Sequence, residues 1–334
     1  MGARVGCVGT GFIAGKHLAA LTSFPDVAVV AVADAVPERA ERVAAGIGAR
    51  AYPDGLAMLA TADLDAVWLC VPPFAHGPLE SAALERDLPF FVEKPLANDL
   101  CTAVRIADEV HRRSLLAGVG YHWRYLDVVA RTRARCGETA PALVTGYWLD
   151  STPPVPWWPD RSASGGQVLE QTTHIFDLAR HVVGEVDAVH AQERRIKAAS
   201  PVEDLDGAVP AAATAQLRFR SGCLGTISST RTLHARHRVG LHIFGDGFAA
   251  ELSEASLTDH ALLMADRDGT RLERVEEDPV EKEDRAFVDA VLGHDDDVRA
   301  PYAEALRSHA LAWAADVSAR EGRTVDPCLD ALYA

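Results

Sequence analysis

A lysine at the end of a short apolar segment has a placement suited to catalysis. Residues 88–92 are apolar or aromatic and predict a buried strand, and Glu93, Lys94 and Pro95 follow it directly. Proline cannot donate a hydrogen bond to a continuing ladder, so the strand should end before Pro95. Because the carboxyl ends of strands face the ligand crevice of an open α/β sheet, we expect Lys94 at a binding site. A solvated lysine at a strand end is the alternative.

A histidine and a carboxylate in the second half of the chain form another candidate site. The segment after Gly165 and Gly166 has apolar residues at helical spacing through 183 and predicts one helix. Its polar residues are spaced four, three and four positions apart, as Glu170, His174, Asp177 and His181. On one helix they would form a single row, and Glu170 could set the tautomer of His174, so that the pair serves as a general base. A solvated polar face is the alternative.

A glycine-rich loop near the start predicts a dinucleotide site. Residues 4–8 predict a strand and residues up to 21 a helix, with the spacing G-x-G-x-x-A between them. The first glycine permits a tight turn, the second lets the backbone approach a pyrophosphate, and the alanine allows close helix packing. The residues expected to contact the cofactor here are Gly9, Thr10, Gly11, Phe12, Ile13 and Ala14.

An acidic residue after the second predicted strand indicates which dinucleotide binds. The strand at 27–33 ends in Asp34, 20 residues beyond Ala14. A carboxylate at this point accepts hydrogen bonds from the adenosine ribose and repels a 2′-phosphate, so NAD is expected rather than NADP. Arg39 lies close enough in sequence to keep NADP as an open alternative.

Two prolines follow another predicted strand, at 65–71. In a parallel sheet the carboxyl ends of the strands would surround one crevice. Pro72 and Pro73 would form a rigid wall beside the cofactor there, and His76 would open the next helix. A capping or packing role is the alternative for His76.

The order of predicted elements indicates two domains. Strands and helices alternate through residues 1–122, which predicts an α/β Rossmann domain with a doubly wound parallel sheet. Residues 123–334 predict a substrate-binding and oligomerisation domain of α+β type with a large, open, mostly antiparallel sheet. Its helix near 302–320 could pack back on the first domain, and residues 199–210 predict a long loop. The strands predicted in it lie near 143–149, 186–196, 212–220, 223–231 and 238–244.

Composition narrows the functional class. The chain has 334 residues, of which 48% are hydrophobic, and a formal net charge of −15, which argues against nucleic acid or an anionic membrane as partner. No apolar run approaches the ~18 residues of a membrane span, and the start shows no signal-peptide pattern, so a cytoplasmic protein is expected. The six cysteines lie far apart and are typical of reduced core residues rather than a disulfide framework or a zinc site.

The combined motifs resemble the Gfo/Idh/MocA family of NAD(P)-dependent oxidoreductases. The resemblance covers nearly the whole chain. It rests on the glycine motif with His17, on Pro72-Pro73 and His76, on Glu93-Lys94-Pro95, and on Gly165-Gly166 through His174. It implies an N-terminal Rossmann domain and a C-terminal α/β domain with a large open sheet. It also implies oxidation or reduction of a carbinol/carbonyl pair on a polyhydroxylated small molecule by a homodimer or homotetramer.

The resemblance also implies roles for individual residues. Lys94 would hydrogen-bond the reacting oxygen, and His174 would exchange the hydroxyl proton. Glu170 stands where many members have Asp, so its carboxylate is displaced by one methylene. Pro72, Pro73, His76 and Glu93 would join Lys94 on the cofactor side. On the substrate side the resemblance places Tyr121, His122, Arg124, Trp157 and Trp158, with packing or a subunit contact as the alternative for the two tryptophans.

The leading hypothesis is a NAD(H)-dependent dehydrogenase or reductase of a sugar, cyclitol or related polyol. One alternative is a glycosidase that uses NAD for transient oxidation. The other is a non-catalytic cofactor-sensing regulator, which the retention of both Lys94 and His174 disfavours. The acidic balance disfavours a highly anionic substrate, although Arg124 or Arg161 could reverse this locally.

Overall fold

The computed structural model describes residues 2–196 and 207–329. The chain divides into two compact units, the first formed by Met1–His122 with Pro279–Leu306 and the second by Trp123–Asp278 with Arg307–Ala334. Most of the long loop predicted at 199–210 lies outside the described residues. In the part of the chain that is described, no helix combines the length and apolarity needed to span a bilayer.

The elements are as follows. The strands are β1 (Ala3–Val8), β2 (Val27–Ala33), β3 (Arg50–Tyr52), β4 (Ala66–Leu69), β5 (Phe90–Val92), β6 (Ala117–Val119), β7 (Pro141–Ser151), β8 (Val186–Arg194), β9 (Ala212–Phe219), β10 (Leu224–Leu233), β11 (Arg238–Gly245), β12 (Phe248–Ser256), β13 (Asp259–Asp266) and β14 (Gly269–Val275). The helices are α1 (Phe12–Ser23), α2 (Pro37–Ile47), α3 (Gly55–Thr61), α4 (Pro78–Glu85), α5 (Leu100–Arg113), α6 (Asp127–Glu138), α7 (Arg161–Ser164), α8 (Gln167–Glu170), α9 (Thr173–Val183), α10 (Pro279–Leu292) and α11 (Tyr302–Glu321).

The first unit contains a six-stranded parallel sheet in the order β3-β2-β1-β4-β5-β6. This is the strand order of a Rossmann fold, and it confirms the predicted doubly wound sheet. Every residue of β4, β5 and β6 is buried, because helices cover both faces of such a sheet and continuous apolar runs are then required. In a sheet of this type, ligands bind to the loops at the carboxyl ends of the strands.

Helix α10 packs in the first unit, although the sequence assigned all of 123–334 to the second domain. Phe287 packs edge-on against Trp68 and Phe91, with ring centroids 5.3 and 5.6 Å apart. Because these aromatic rings pack together, Pro279–Leu306 belongs with the first unit although it lies far from Met1–His122 in the sequence. The unit boundary falls inside α11, whose Tyr302 packs against Phe90 in the first unit.

The second unit contains an eight-stranded sheet in the order β14-β13-β12-β11-β7-β10-β9-β8. Only β7 and β10 are parallel among the paired strands, so the prediction of a mostly antiparallel sheet is confirmed. Residues of α6, α9 and α11 join those of the sheet in one hydrophobic core. Strands β12, β13 and β14 were not predicted. Charged residues in β12 and β14 weaken the apolar signal, whereas β13 has an apolar run at 261–265.

Candidate active site

The loop after β1 has the conformation that dinucleotide binding requires. Gly9 has a φ of +90°, and a Cβ there would lie 2.2 Å from a carbonyl oxygen just after β4. A Cβ added to Gly11 would meet no atom within 4 Å, so space is open at the positive end of α1. Ala14 is fully buried, as close helix–sheet packing requires. Exposed Phe12 and half-buried Ile13 begin the helix. The loop therefore fits a pyrophosphate.

The carboxylate of Asp34 is held in place at the carboxyl end of β2. Its Oδ2 accepts hydrogen bonds from the amide and hydroxyl of Thr10 at 2.8 and 2.7 Å, and its Oδ1 from the amide of Val36 at 2.9 Å. Burial opposes its charge, but these hydrogen bonds and the nearby Arg39 guanidinium hold the pKa of Asp34 below its ordinary value. An ionised carboxylate here suits ribose hydroxyls and repels a 2′-phosphate, which agrees with NAD.

His76 is buried and is oriented by Glu80. Pro72 is half-buried and Pro73 buried, at the start of a short 3₁₀ turn. The Nδ1 atom of His76 lies 2.6 Å from one carboxylate oxygen of Glu80, and the amide of Gly77 donates to the other at 2.6 Å. A carboxylate at Nδ1 favours the tautomer with its proton there, which leaves Nε2 as a hydrogen-bond acceptor. No group among the described residues hydrogen-bonds this Nε2.

Strand β5 ends at Val92, and Lys94 lies at its carboxyl end as predicted. The amide of Glu93 still donates to the sheet, reaching the carbonyl of Leu69 at 3.0 Å. The Glu93 side chain is buried, and its Oε1 lies 3.2 Å from Nε2 of His17 on α1. Lys94 itself is half-buried. The sheet and α1 together therefore hold the residue that precedes Lys94.

The residues after β6 are more buried than their predicted substrate role suggested. Tyr121 and His122 are buried in the first unit. Arg124, in the second unit, makes a two-pronged ion pair with Asp177, with Nε–Oδ2 and Nη2–Oδ1 distances of 3.0 and 2.5 Å. The hydroxyl of Ser308 also donates to Asp177. Burial opposes the charge of Asp177, but Arg124 outweighs it and lowers the pKa of that carboxyl. The guanidinium is thus engaged by a buried carboxylate.

The helix predicted after the glycine pair is two helices in the structure. The amide and the hydroxyl of Thr172 both donate to the carbonyl of Gln167, at 2.9 and 3.1 Å, which widens the turn between α8 and α9. Glu170 ends α8 and His174 lies in α9, so the prediction that four polar residues form one continuous row on a single helix is wrong. His174 is buried rather than solvated.

Glu170 is engaged by one of the two tryptophans. The indole N–H of Trp158 donates to Glu170 Oε2 at 2.6 Å, and Trp158 is fully buried, whereas Trp157 is half-buried. Gly165 and Gly166 both have positive φ, +76° and +91°, so only glycine is unstrained at the entrance to α8. The full burial of Trp158 favours the packing alternative over a substrate contact, and its indole holds the Glu170 carboxylate.

An aromatic residue that was not predicted supports the ring of His174. The indole of Trp148, on β7, stacks nearly parallel to the imidazole, with ring centroids 5.8 Å apart and an angle of 18°. The guanidinium of Arg236 lies 5.3 Å from the Trp148 ring and bonds Asp150 at 3.0 Å and Glu254. Nothing in the strand pattern of β7 indicates this contact, because stacking across elements leaves no local signal.

The chain belongs to the Gfo/Idh/MocA family. A model of the oxidoreductase family with an NAD-binding Rossmann fold matches residues 3–121, and one of the GFO/IDH/MocA C-terminal domain matches residues 139–250. The first unit is accordingly an NAD-binding domain, which confirms the cofactor expected from Asp34.

Individual proteins of known sequence or structure are also similar to this chain. Inositol 2-dehydrogenase 4 of Saccharopolyspora erythraea is 32% identical over 205 residues, which cover 59% of this chain and 59% of that protein. The scyllo-inositol 2-dehydrogenase (NAD(+)) of Bacillus subtilis is 29% identical over 241 residues, 70% of this chain and 68% of that protein. A solved structure of levoglucosan dehydrogenase with NADH shares the fold, with a TM-score of 0.85 and 21% identity over 98% of this chain and 100% of that one.

Proposed function

We propose that the protein is a NAD(H)-dependent dehydrogenase of a neutral polyol, a cyclitol or a sugar. The observation that carries the proposal is that both halves match the family's models while Lys94 and His174 are both present. The relatives named for inositol and levoglucosan oxidation support this substrate class. Bound NAD would accept or return the hydride at the substrate carbon.

The side chains of Lys94 and His174 would stabilise charge and transfer the proton, respectively. The ammonium group of Lys94 would donate a hydrogen bond to the reacting oxygen and stabilise its developing negative charge. His174 would take the hydroxyl proton in oxidation and return it in reduction. The stacked indole of Trp148 would limit rotation of the imidazole and so keep its proton-accepting nitrogen aimed.

Charge pairing favours a neutral substrate. The two arginines considered as anion partners, Arg124 and Arg161, are both engaged by carboxylates. Arg124 bonds Asp177, and Arg161 bonds Asp316 and lies 3.2 Å from Glu193. Binding an anionic sugar with Arg124 would compete with its fully buried ion pair to Asp177, which is costly, and Arg161 is already shared between two carboxylates.

Exposed apolar residues support the proposed homodimer or homotetramer. Leu143, Leu224 and Phe244 are exposed and lie side by side on β7, β10 and β11, since Leu143 pairs with both of the others in the sheet register. Such a patch is expected to be covered by another subunit. Light scattering during gel filtration tests this, and a monomeric wild-type mass would contradict it.

The catalytic proposal is tested by NADH absorbance with NAD and a panel of neutral polyols. Lys94→Met keeps the aliphatic stem and removes the charge, so we expect turnover to fall by ~10²- to 10⁴-fold. Lys282→Met, on α10, is the matched control and should retain turnover. NAD should still raise the melting temperature of Lys94→Met, because the cofactor loop is untouched.

Three results would contradict the proposal in different ways. Undiminished turnover by Lys94→Met would remove the lysine from the mechanism. Sugar release without net NADH would indicate the glycosidase alternative. NAD binding without turnover of any polyol would indicate the regulator.

A further inference from the structure

A buried chain of three titratable groups lies in the first unit, outside the residues so far given a catalytic role. His17 on α1 lies between Glu93 and Asp284, the latter on α10. Its Nδ1 is 2.8 Å from Asp284 Oδ1 and its Nε2 is 3.2 Å from Glu93 Oε1. His17 and Asp284 are 0% exposed and Glu93 is 5% exposed. One imidazole thus connects the helix of the glycine-rich loop with the residue before Lys94.

A charged imidazole makes both contacts as a donor, and burial raises the pKa of Asp284 more than His17 and Trp68 lower it. A neutral ring has a single N–H and could donate to only one of the two carboxylates, whereas the imidazolium donates to both. Burial lowers the pKa of His17, but Asp284 and then Glu93 outweigh it and raise that pKa well above its ordinary value. Burial likewise opposes the charge of Glu93, yet the hydrogen bond and charge of His17 hold the pKa of Glu93 below its ordinary value. Glu93 is therefore ionised and held.

Neighbouring residues also restrict the side chains of Asp284, His17 and Glu93. The indole N–H of Trp68 donates to Asp284 Oδ1 at 2.7 Å, and the ring of Phe91 meets the His17 ring edge-on at 5.3 Å. A Cβ added to Gly120 would lie only 2.1 Å from Glu93 Oε1. The Glu93 carboxylate thus lies between the imidazolium on one side and the backbone of Gly120 on the other.

We propose that His17 is a positioning residue for Lys94 and acts through Glu93. The amide of Glu93 is hydrogen-bonded to the sheet, and its side chain is anchored by His17. The two anchors together determine the backbone direction with which the chain enters Lys94. Without the second anchor the lysine would sample directions away from the reacting oxygen. The inference rests on the proposed role of Lys94 in the reaction.

Two substitutions separate the anchors. In His17→Asn the amide nitrogen occupies about the place of Nδ1, so the bond to Asp284 is kept and that to Glu93 is lost. In His17→Gln the amide nitrogen reaches about the place of Nε2, so the bond to Glu93 is kept and that to Asp284 is lost. Both variants remove the same positive charge and are matched controls for each other.

We expect kcat for polyol oxidation to fall by ~10- to 100-fold in His17→Asn, with KM for NAD little changed. In His17→Gln kcat should stay close to the wild-type value. Equal losses in the two folded variants, or a larger loss in His17→Gln, would overturn the proposal. If neither variant folds, Gly120→Ala decides, since it displaces Glu93 from the other side and should reproduce the loss of kcat. Undiminished kcat in that variant would equally overturn the proposal.

A second readout does not depend on turnover. Trinitrobenzenesulfonate modifies lysine amines, and peptide mass spectrometry measures how fast Lys94 reacts. The rate, normalised to that of exposed Lys16, reports the accessibility and orientation of the Lys94 amine. The normalised rate should change several-fold in His17→Asn and remain unaltered in His17→Gln. Identical rates in all three proteins would overturn the role of His17 even if the enzyme oxidises polyols. The expected pattern in a wild-type protein that oxidises none would support it while the proposed function failed.

Discussion

Acid should destabilise the second unit through His181, near the carboxyl end of α9. Burial is the largest effect on this imidazole, and the charges of Arg124, Arg133 and Arg180 add to it against the opposing Asp177, which lowers the pKa of His181 to about 4. The unfolded chain binds the proton near pH 6.5, about 2.5 pKa units higher. At 1.36 kcal/mol per unit, the difference amounts to about 3 kcal/mol of unfolding free energy.

The sign follows from proton uptake. Between about pH 6.5 and 4 the unfolded chain binds more protons at this residue than the native protein, so stability rises with pH across that window. The contribution of His181 is complete above about pH 6.5 and is lost as the pH falls toward 4. A His181→Gln variant lacks this proton, so its unfolding free energy should fall less steeply with acid than that of the wild type.

The direct assay is a pH titration of histidine-labelled protein by NMR, with His181→Gln to assign the resonance. The His181 signal should keep its neutral position down to about pH 5, one unit above its pKa. Arg133→Gln is the matched control, because Arg133 is exposed and its loss should raise the His181 pKa slightly without unfolding the protein. A wild-type midpoint near 6.5 would refute the argument that burial and the arginine charges resist protonation.

Three further outcomes are expected. Asp177→Asn should cost about 3–5 kcal/mol in unfolding free energy, because Arg124 would remain buried without its partner charge; an unaltered denaturant midpoint would contradict this. Trp148→Leu should lower kcat by up to about tenfold with NAD binding intact, since the stacked face of His174 is lost; wild-type kcat would exclude the positioning role. The stabilising contribution of His17 should be complete below about pH 6.5 and be lost as the pH rises through its raised native pKa, so the stability difference between wild type and His17→Asn should shrink in alkali.

Much of the Rossmann half could be predicted because its signals are local. The turn at Gly9, the carboxylate of Asp34 and the strand end before Lys94 each depend on a few neighbouring residues. The structure has all three where they were expected. The turn requires a positive φ, and the strand cannot extend past a residue without an N–H, so residue type and spacing suffice.

The second half was predicted less completely, because its decisive contacts join distant positions. The break between α8 and α9 depends on Thr172 donating twice to one carbonyl, and helical spacing alone does not show it. Strands β12 and β14 include several charged residues, so their apolar alternation is faint.

By itself, the sequence indicated the fold class, NAD as the cofactor and the two residues proposed to carry proton and charge in catalysis. The first two depend on short-range backbone rules and on a carboxylate at a defined distance from a glycine motif, whereas the roles proposed for Lys94 and His174 come from the resemblance to the family. Only the tertiary structure decided that Asp284 lies beside His17, that Trp148 stacks on His174 and that Arg124 pairs with Asp177. These contacts come from the packing of separate helices and strands. Burial makes the two ion pairs necessary, since a charge removed from water must be paired.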